Sequence, residues 1–308
     1  MNQELEEFVQ LELAQLSGSA QHQLPANPAM PQRLYYPVNA AGIEAIVRSG
    51  TLRALDWRLG CDEALVRYGV GVVEAFLDKR QGATADSLRE EFRCETLANF
   101  CPSGTHFDGF VVRLFEHTEP TDPVSFPGYA LGLSVANLPI RTIANAPGTS
   151  IQLLKAIYSR EQQLAIVQTI YQSYEDYFVS TVRRFGEQNR TQLLTPCWDK
   201  FRRDIGTVLM RFRNPASFQE CEWIATALTR PHQEEDLVVF EIVDNRLVPS
   251  VALDISVPPD GGRRKLPFDV IAIGASLPFE STREALSAFL SRNRVHGVTI
   301  VPAHSIAT

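Results

Sequence analysis

The stretch Phe218-Gln219-Glu220-Cys221-Glu222-Trp223 opens the strand-rich final third of this chain. Its acidic residues alternate with residues typical of a protein interior. In an extended segment, Glu220 and Glu222 therefore share one face, and Cys221 and Trp223 share the other. This alternation predicts a strand. Carboxylates at the start of a strand can point into a cleft, where they can act as a general base or stabilise a developing charge. The alternative is that both are solvated residues of an edge strand.

The segments that follow are rich in β-forming residues and bounded by turn residues. We predict strands over 222–228, 237–243, 247–255, 268–274 and 297–301. The segment 258–265 is predicted to be a loop because of its proline and glycine content. Ser281 and Glu284 form a capping box for a helix that extends to about residue 293.

Helices and β-like segments both occur in the first two thirds of the chain. The apolar spacing predicts helices over 4–16, 39–49, 62–79 and 151–185, the last capped by Thr149 or Ser150, and one more that begins with Thr195 as cap and Pro196 in the first position. Strands are predicted over 33–38, 51–55, 97–101, 109–115 and 129–135. Helices grouped before a strand-rich end indicate an α+β fold.

Composition limits the possible functions. The chain has 308 residues and a net charge of -7, which predicts no general affinity for nucleic acid backbones. The alternative is a nucleic-acid binder that uses the arginines of 202–213 and the loop at 261–265. An acidic N-terminus and the lack of a long apolar segment predict a cytoplasmic protein without a membrane segment. Five cysteines without a C-x-x-C pair are predicted to be mostly buried thiols.

No metal site is predicted. The histidines at 106 and 117 have acidic residues nearby, but neither group has the spacing of known metal ligands. We therefore expect no metal cofactor.

Several short motifs, in this order along the chain, resemble domain-of-unknown-function family 2971. They are Leu34-Tyr35-Tyr36, Arg67-Tyr68-Gly69, Tyr129 with Gly132, Glu220-Cys221-Glu222-Trp223, and Phe268 to Gly274 before a capped helix. The resemblance spans roughly residues 33 to 306. That family looks like a remote branch of the ADP-ribosyltransferase-like fold, in which NAD lies in a cleft between two small sheets.

The resemblance implies a domain organisation. Residues 1–32 are an N-terminal helix and a proline-rich linker, and 33–308 are an ADP-ribosyltransferase-like α+β domain with a split β-sheet core. A helical insertion occupies about 150–214.

The resemblance also implies site residues, with departures from the family pattern. Tyr36 stands where typical members have a histidine that contacts a ribose. The family's Trp-Arg-x-Tyr motif corresponds to Phe126 to Tyr129, which keeps aromatic residues and lacks the arginine. The Glu-x-Glu-Trp-Arg motif keeps Glu220, Glu222 and Trp223 and lacks its arginine.

These matches imply roles in NAD chemistry. Glu222 is the expected catalytic carboxylate, because breaking the nicotinamide–ribose bond develops an oxocarbenium-like centre. Tyr36, Phe126, Tyr129 and Glu220 are expected to bind the nucleotide. Arg53, or the basic run 263–265, is the candidate to replace the missing arginines at the pyrophosphate.

Two functions follow from the resemblance. The first is a divergent ADP-ribosyltransferase or NAD glycohydrolase with NAD or a related nucleotide as substrate. The second is a catalytically degenerate module that senses a ligand or binds a protein partner in a bacterial defence or conflict system.

Overall fold

The computed structural model describes residues 9, 11–16, 28–60, 63–82, 85–99, 109–116, 128–138, 141–142, 150–228, 238–243, 245–260 and 263–305. Contacts within the chain define two compact units. The sheet unit contains 27–60, 108–156 and 216–308. The helical unit contains 1–26, 61–107 and 157–215. Helices and one large mixed sheet together confirm a fold of mixed α and β content.

The helices are numbered along the chain. They are α1 (described at 9 and 11–16), α2 (Ala40–Ser49), α3 (Trp57–Gly60), α4 (Glu63–Lys79), α5 (Ser87–Asn99), α6 (Arg160–Phe185), α7 (Arg190–Leu209) and α8 (Phe279–Arg292). None of the helices in the described ranges has the length and apolar character needed to cross a membrane.

The strands belong to the sheet unit. They are β1 (Arg33–Val38), β2 (Thr51–Asp56), β3 (Gly109–Phe115), β4 (Tyr129–Ser134), β5 (Arg141–Thr142), β6 (Ser150–Lys155), β7 (Glu222–Leu228), β8 (Val238–Val243), β9 (Arg246–Asp254), β10 (Val257–Asp260), β11 (Arg263–Lys265), β12 (Phe268–Ile273) and β13 (Thr299–Pro302). Eleven of them form the mixed sheet, and eight of these lie in the order β13-β12-β4-β1-β3-β2-β9-β5. In addition, β6 pairs with β7, β7 with β3 and β8 with β9.

The sheet divides at β3. Strand β7 pairs with β3 continuously from Gly109 to Phe115, so it occupies one whole edge of that strand. Both β1, through Tyr35 opposite Phe115, and β2, through Leu55 opposite Val111, pair with β3. They must therefore share its other edge, and two arms of the sheet diverge from there.

One face of the sheet carries the main apolar core. Alternate strand residues such as Leu34, Leu114 and Trp223 are fully buried in one cluster with residues of α2 and α8. The two helices present Ile43 and Leu286 to it. We call this side of the sheet the core face.

The helical unit has a core rich in aromatic rings. Phe92 of α5 packs against Tyr171 and Phe178 of α6 and against Phe201 of α7. The apolar positions that predicted α4, α6 and α7 are buried, as Val73, Ile170 and Phe201 illustrate. The helical periodicity of the sequence is therefore confirmed for these three helices.

Several predicted elements are wrong. The predicted helix over 151–185 is a strand, β6, followed by α6 with Ser159 as N-cap. Residues 97–99 end α5 instead of forming a strand, and α7 begins at Arg190, which places Pro196 inside the helix. The predicted loop at 258–265 contains β10 and β11, which pair with each other. Helix α8 begins at Phe279, and the Ser281 hydroxyl donates to the carbonyl of Pro278.

Candidate functional site

The predicted strand over 222–228 is confirmed, but the alternation does not extend back to Glu220. Residues Pro215–Glu220 form a 3-10 helix, and Cys221 has a positive φ of 46°. Its amide hydrogen bonds back to the carbonyl of Phe218, while its own carbonyl accepts from the amide of Glu116. Cys221 therefore turns the chain from the 3-10 helix into β7, and the expectation that Glu220 lies on a strand is wrong.

Arg113 of β3 joins the two acids. Phe115 lies opposite Glu222 in the β3–β7 pair, and Arg113 shares the face of Phe115 because it is two residues away. Arg113 Nε lies 2.8 Å from Glu222 Oε1, and its Nη2 lies 3.2 Å from Oε2. The same Nη2 lies 3.6 Å from Glu220 Oε2. One guanidinium therefore holds both carboxylates.

The three side chains differ in their exposure to solvent. The Glu222 side chain is 0% exposed, that of Glu220 is 15% exposed and that of Arg113 is 34% exposed. A buried carboxylate needs a charged partner because desolvation is costly, and the two-point contact with Arg113 supplies one.

A second polar cluster lies on the core face, at the edge of the apolar cluster. The Trp223 indole Nε1 donates to Glu116 Oε1 at 2.8 Å, and Lys155 Nζ donates to the same oxygen at 2.7 Å. Lys155 lies opposite Trp223 in the β6–β7 pair. This cluster affects Cys221. Partial burial raises the pKa of the Cys221 thiol, Glu116 raises it further, and Lys155 lowers it.

The structure separates the predicted site residues into two groups. Tyr36 and Tyr129 pack against the core cluster that contains Trp223. Glu222 precedes Trp223 in the same strand and so points to the opposite face of the sheet. Burial raises the pKa of the Tyr36 hydroxyl.

Two further predicted residues and the basic run 263–265 remain. Arg53 alternates with the core residues Leu52 and Ala54, so it lies on the face of Glu222, and its Nε is 3.1 Å from Glu241 Oε1. Phe126 lies outside the described residues. The side chains of 263–265 are also outside the description, so only their backbone pairing is known.

Sequence reasoning missed Arg113 as the partner of the acids. It is the only charged residue in the strand Gly109–Phe115, whose other residues are apolar or glycine. An isolated arginine within a buried strand needs a carboxylate partner, so the signal was present. Its partner, 109 residues away, could not be identified without the strand register.

A separate pocket of about 650 Å³, which we call the groove between α2 and α8, has Tyr129 among its lining residues. Its large aliphatic and aromatic lining residues on the helices are Ile43 of α2 and Leu286 and Phe289 of α8, and Arg48 and Arg292 are its cations. Glu44 also lines it, and Arg48 Nη2 lies 2.7 Å from Glu44 Oε1. Of the predicted residues, the pocket includes Tyr129 and does not include Glu222.

Among the described residues, no group of three or more His, Cys, Asp or Glu side chains is placed to hold a metal ion. Searches of protein-family models, of curated proteins and of solved structures found no match to this chain. The assignment of function therefore rests on the residues themselves.

Proposed function

We propose that this protein is a divergent ADP-ribosyltransferase-like module that senses a ligand or binds a protein partner and does not cleave NAD. The observation that carries this proposal is the ion pair of Glu222 with Arg113. Both carboxylate oxygens are within 3.2 Å of guanidinium nitrogens, and the side chain is 0% exposed.

The chemistry of NAD cleavage argues against a catalytic role for such a carboxylate. A catalytic acid must lie beside the ribose and stabilise the positive charge that develops there. The positive charge of Arg113 offsets that stabilisation. The side chain is also fully buried, so a ribose hydroxyl could reach Glu222 only after the packing around it opened. Glu222 is thus proposed as a structural group.

The family relationship is supported by the order of the motifs and by the divided sheet. Strands β1 and β2 leave the same edge of β3, which agrees with the split β-sheet core that the resemblance implies. The Glu-x-Glu-Trp motif begins in the 3-10 helix and ends in the first two residues of β7, next to β3.

A weak NAD glycohydrolase or ADP-ribosyltransferase is the second candidate. It is favoured by the meeting of Glu220 and Glu222 at an arginine that is 34% exposed, because a partly solvated ion pair opens more readily than a fully buried one.

Nicotinamide release separates the two candidates. Purified protein is incubated with NAD labelled in the nicotinamide ring, alone and with arginine-rich acceptor proteins, beside Glu222→Gln and Glu220→Gln. We expect no release above the buffer control from the wild type or either variant. Release by the wild type that Glu222→Gln abolishes, with unchanged circular dichroism, would overturn the proposal.

A further inference from the structure

We propose that the groove between α2 and α8 binds a small-molecule anion with an apolar body, and that Arg48 and Arg292 hold its carboxylate or phosphate group. This site lies on the core face of the sheet, and Glu222 points to the opposite face. The inference therefore does not depend on whether the protein cleaves NAD.

The apolar part of the groove is continuous with the core. Ile43 and Leu286 are buried members of the main cluster, and Tyr129 and Phe289 are partly buried against it. Together with Ala40 and Ala285, these side chains form the apolar part of the lining of a volume of about 650 Å³. Volumes of roughly 300–1,000 Å³ are typical of small-molecule sites. Half of the twelve residues that line this groove are polar, so it offers hydrogen-bonding groups beside its apolar wall.

The topology places the two arginines at the same end of the groove. Strands β1 and β12 are both antiparallel to β4, so they are parallel to each other. The helices α2 and α8 follow these strands as crossovers and therefore run in the same direction. Arg48 and Arg292 both lie in the last turn of their helices.

The charge at that end is positive. Glu44 offsets one of the two guanidinium groups through its ion pair with Arg48. Within the described ranges, no ion pair is found for Arg292. A planar guanidinium binds a carboxylate or phosphate through paired hydrogen bonds. The groove thus suits a ligand whose anionic group lies at the arginines and whose apolar body lies against Phe289 and Leu286.

Calorimetric titration at low salt tests the site with three probes that share a naphthalene ring. They are 2-naphthoate, 2-naphthyl phosphate and the neutral 2-naphthamide. We expect at least one anion to bind about tenfold more tightly than the amide. The comparison of the two anions shows whether a carboxylate or a phosphate is preferred.

Three variants locate the binding. Arg292→Gln should remove most of the difference in affinity between the anion and the amide, and Phe289→Ala should weaken binding of all three probes. Arg283→Gln is the matched control. Arg283 is an exposed arginine of the same helix that pairs with Glu280 and does not line the groove.

Three results would overturn the proposal. They are no binding of any probe to the wild type, equal affinity for the amide and both anions, and equal losses in Arg292→Gln and Arg283→Gln. Arg48→Gln is a second variant that tests binding of the anionic group. It should weaken binding of the anion and leave binding of the amide unaffected, while circular dichroism shows an unchanged fold.

Discussion

The pKa of the Cys221 thiol depends on the charges around the start of β7. Its φ of 46° is unusual for a residue with a side chain, and the carbonyl that it presents to the Glu116 amide joins the turn to the end of β3. The thiol is therefore fixed near Glu116 and Lys155, the same groups that bind Trp223 or lie opposite it.

We predict opposite changes in Cys221 reactivity when these two charges are removed. Glu116 raises the thiol pKa and Lys155 lowers it. Only the thiolate is alkylated, so Glu116→Gln should shift the pH–rate profile of alkylation to lower pH. Lys155→Met should shift it to higher pH. Peptide mapping after iodoacetamide treatment gives the rate for each cysteine.

The exposed Cys94 is the internal control, because its rate should be the same in all three proteins. Shifts in the same direction for both variants, or no shift, would show that these charges do not act on Cys221.

Two glycines illustrate how different elements use the same residue. Gly132 lies in β4 between β1 and β12, and an added Cβ would be 3.1 Å from Val270 Cβ and 3.2 Å from Tyr35 Cε1. Gly71 lies inside α4, where an added Cβ would meet nothing within 4 Å. The strand needs its glycine for close packing, whereas the helix has no steric need for it.

We therefore predict opposite effects on stability. Gly132→Ala should lower the free energy of unfolding by about 1–3 kcal/mol because of overpacking. Gly71→Ala should raise it by about 0.5–1 kcal/mol because alanine restricts the unfolded chain and favours the helix. Urea denaturation followed by circular dichroism measures both. A higher free energy of unfolding in both variants would contradict close packing around Gly132.

Local signals predicted some elements well. The unit β1–α2–β2 was predicted because its boundaries are set by neighbouring residues. The Asn39 side chain accepts from the Gly42 amide, and Gly50 has the left-handed φ of 73° that ends the helix. These interactions are within a few residues and leave a clear pattern in the sequence.

Other elements depend on distant contacts and were missed for that reason. Residues 150–155 form a strand because they pair with β7, more than 60 residues later, although their apolar content also fits a helix. Pro196 favours a helix start, yet α7 continues through it. The same difference between local and distant contacts applies to the candidate site. Glu222 was placed on a strand correctly from its neighbours, whereas its partner Arg113, 109 residues away, was not found.

The sheet leaves an apolar surface in solvent. On the β8–β9 ribbon, Phe240 is 65% exposed, Ile242 is 76% exposed and Leu247 is 68% exposed. Large apolar side chains on an exposed ribbon promote association of protein molecules.

We predict that Ile242→Lys raises the solubility of the protein, measured by ammonium sulfate precipitation. The free energy of unfolding should change by less than about 0.5 kcal/mol because Ile242 is mostly in solvent. Ile271→Lys is the matched control, since Ile271 is 0% exposed and a buried lysine should unfold the sheet unit. Comparable destabilisation by the two substitutions would contradict the exposed position of Ile242.

Arg113 and Glu222 are proposed to form a structural ion pair of the sheet unit. A comparison pair exists in Arg33 and Asp269, which also make a two-point contact, at 3.0 and 2.7 Å. Their side chains are 37% and 48% exposed, so solvent should weaken their coupling to below about 1 kcal/mol.

A double-mutant cycle measured by urea denaturation tests this claim most directly. Arg113→Met should lower the free energy of unfolding by about 2–4 kcal/mol, because it removes this guanidinium from the buried Glu222 carboxylate. Arg113→Met with Glu222→Gln should lose less than the sum of the single losses, with a coupling energy of about 1–3 kcal/mol. Additive losses to within about 0.5 kcal/mol, or a stability unchanged by Arg113→Met, would contradict a structural role for Glu222.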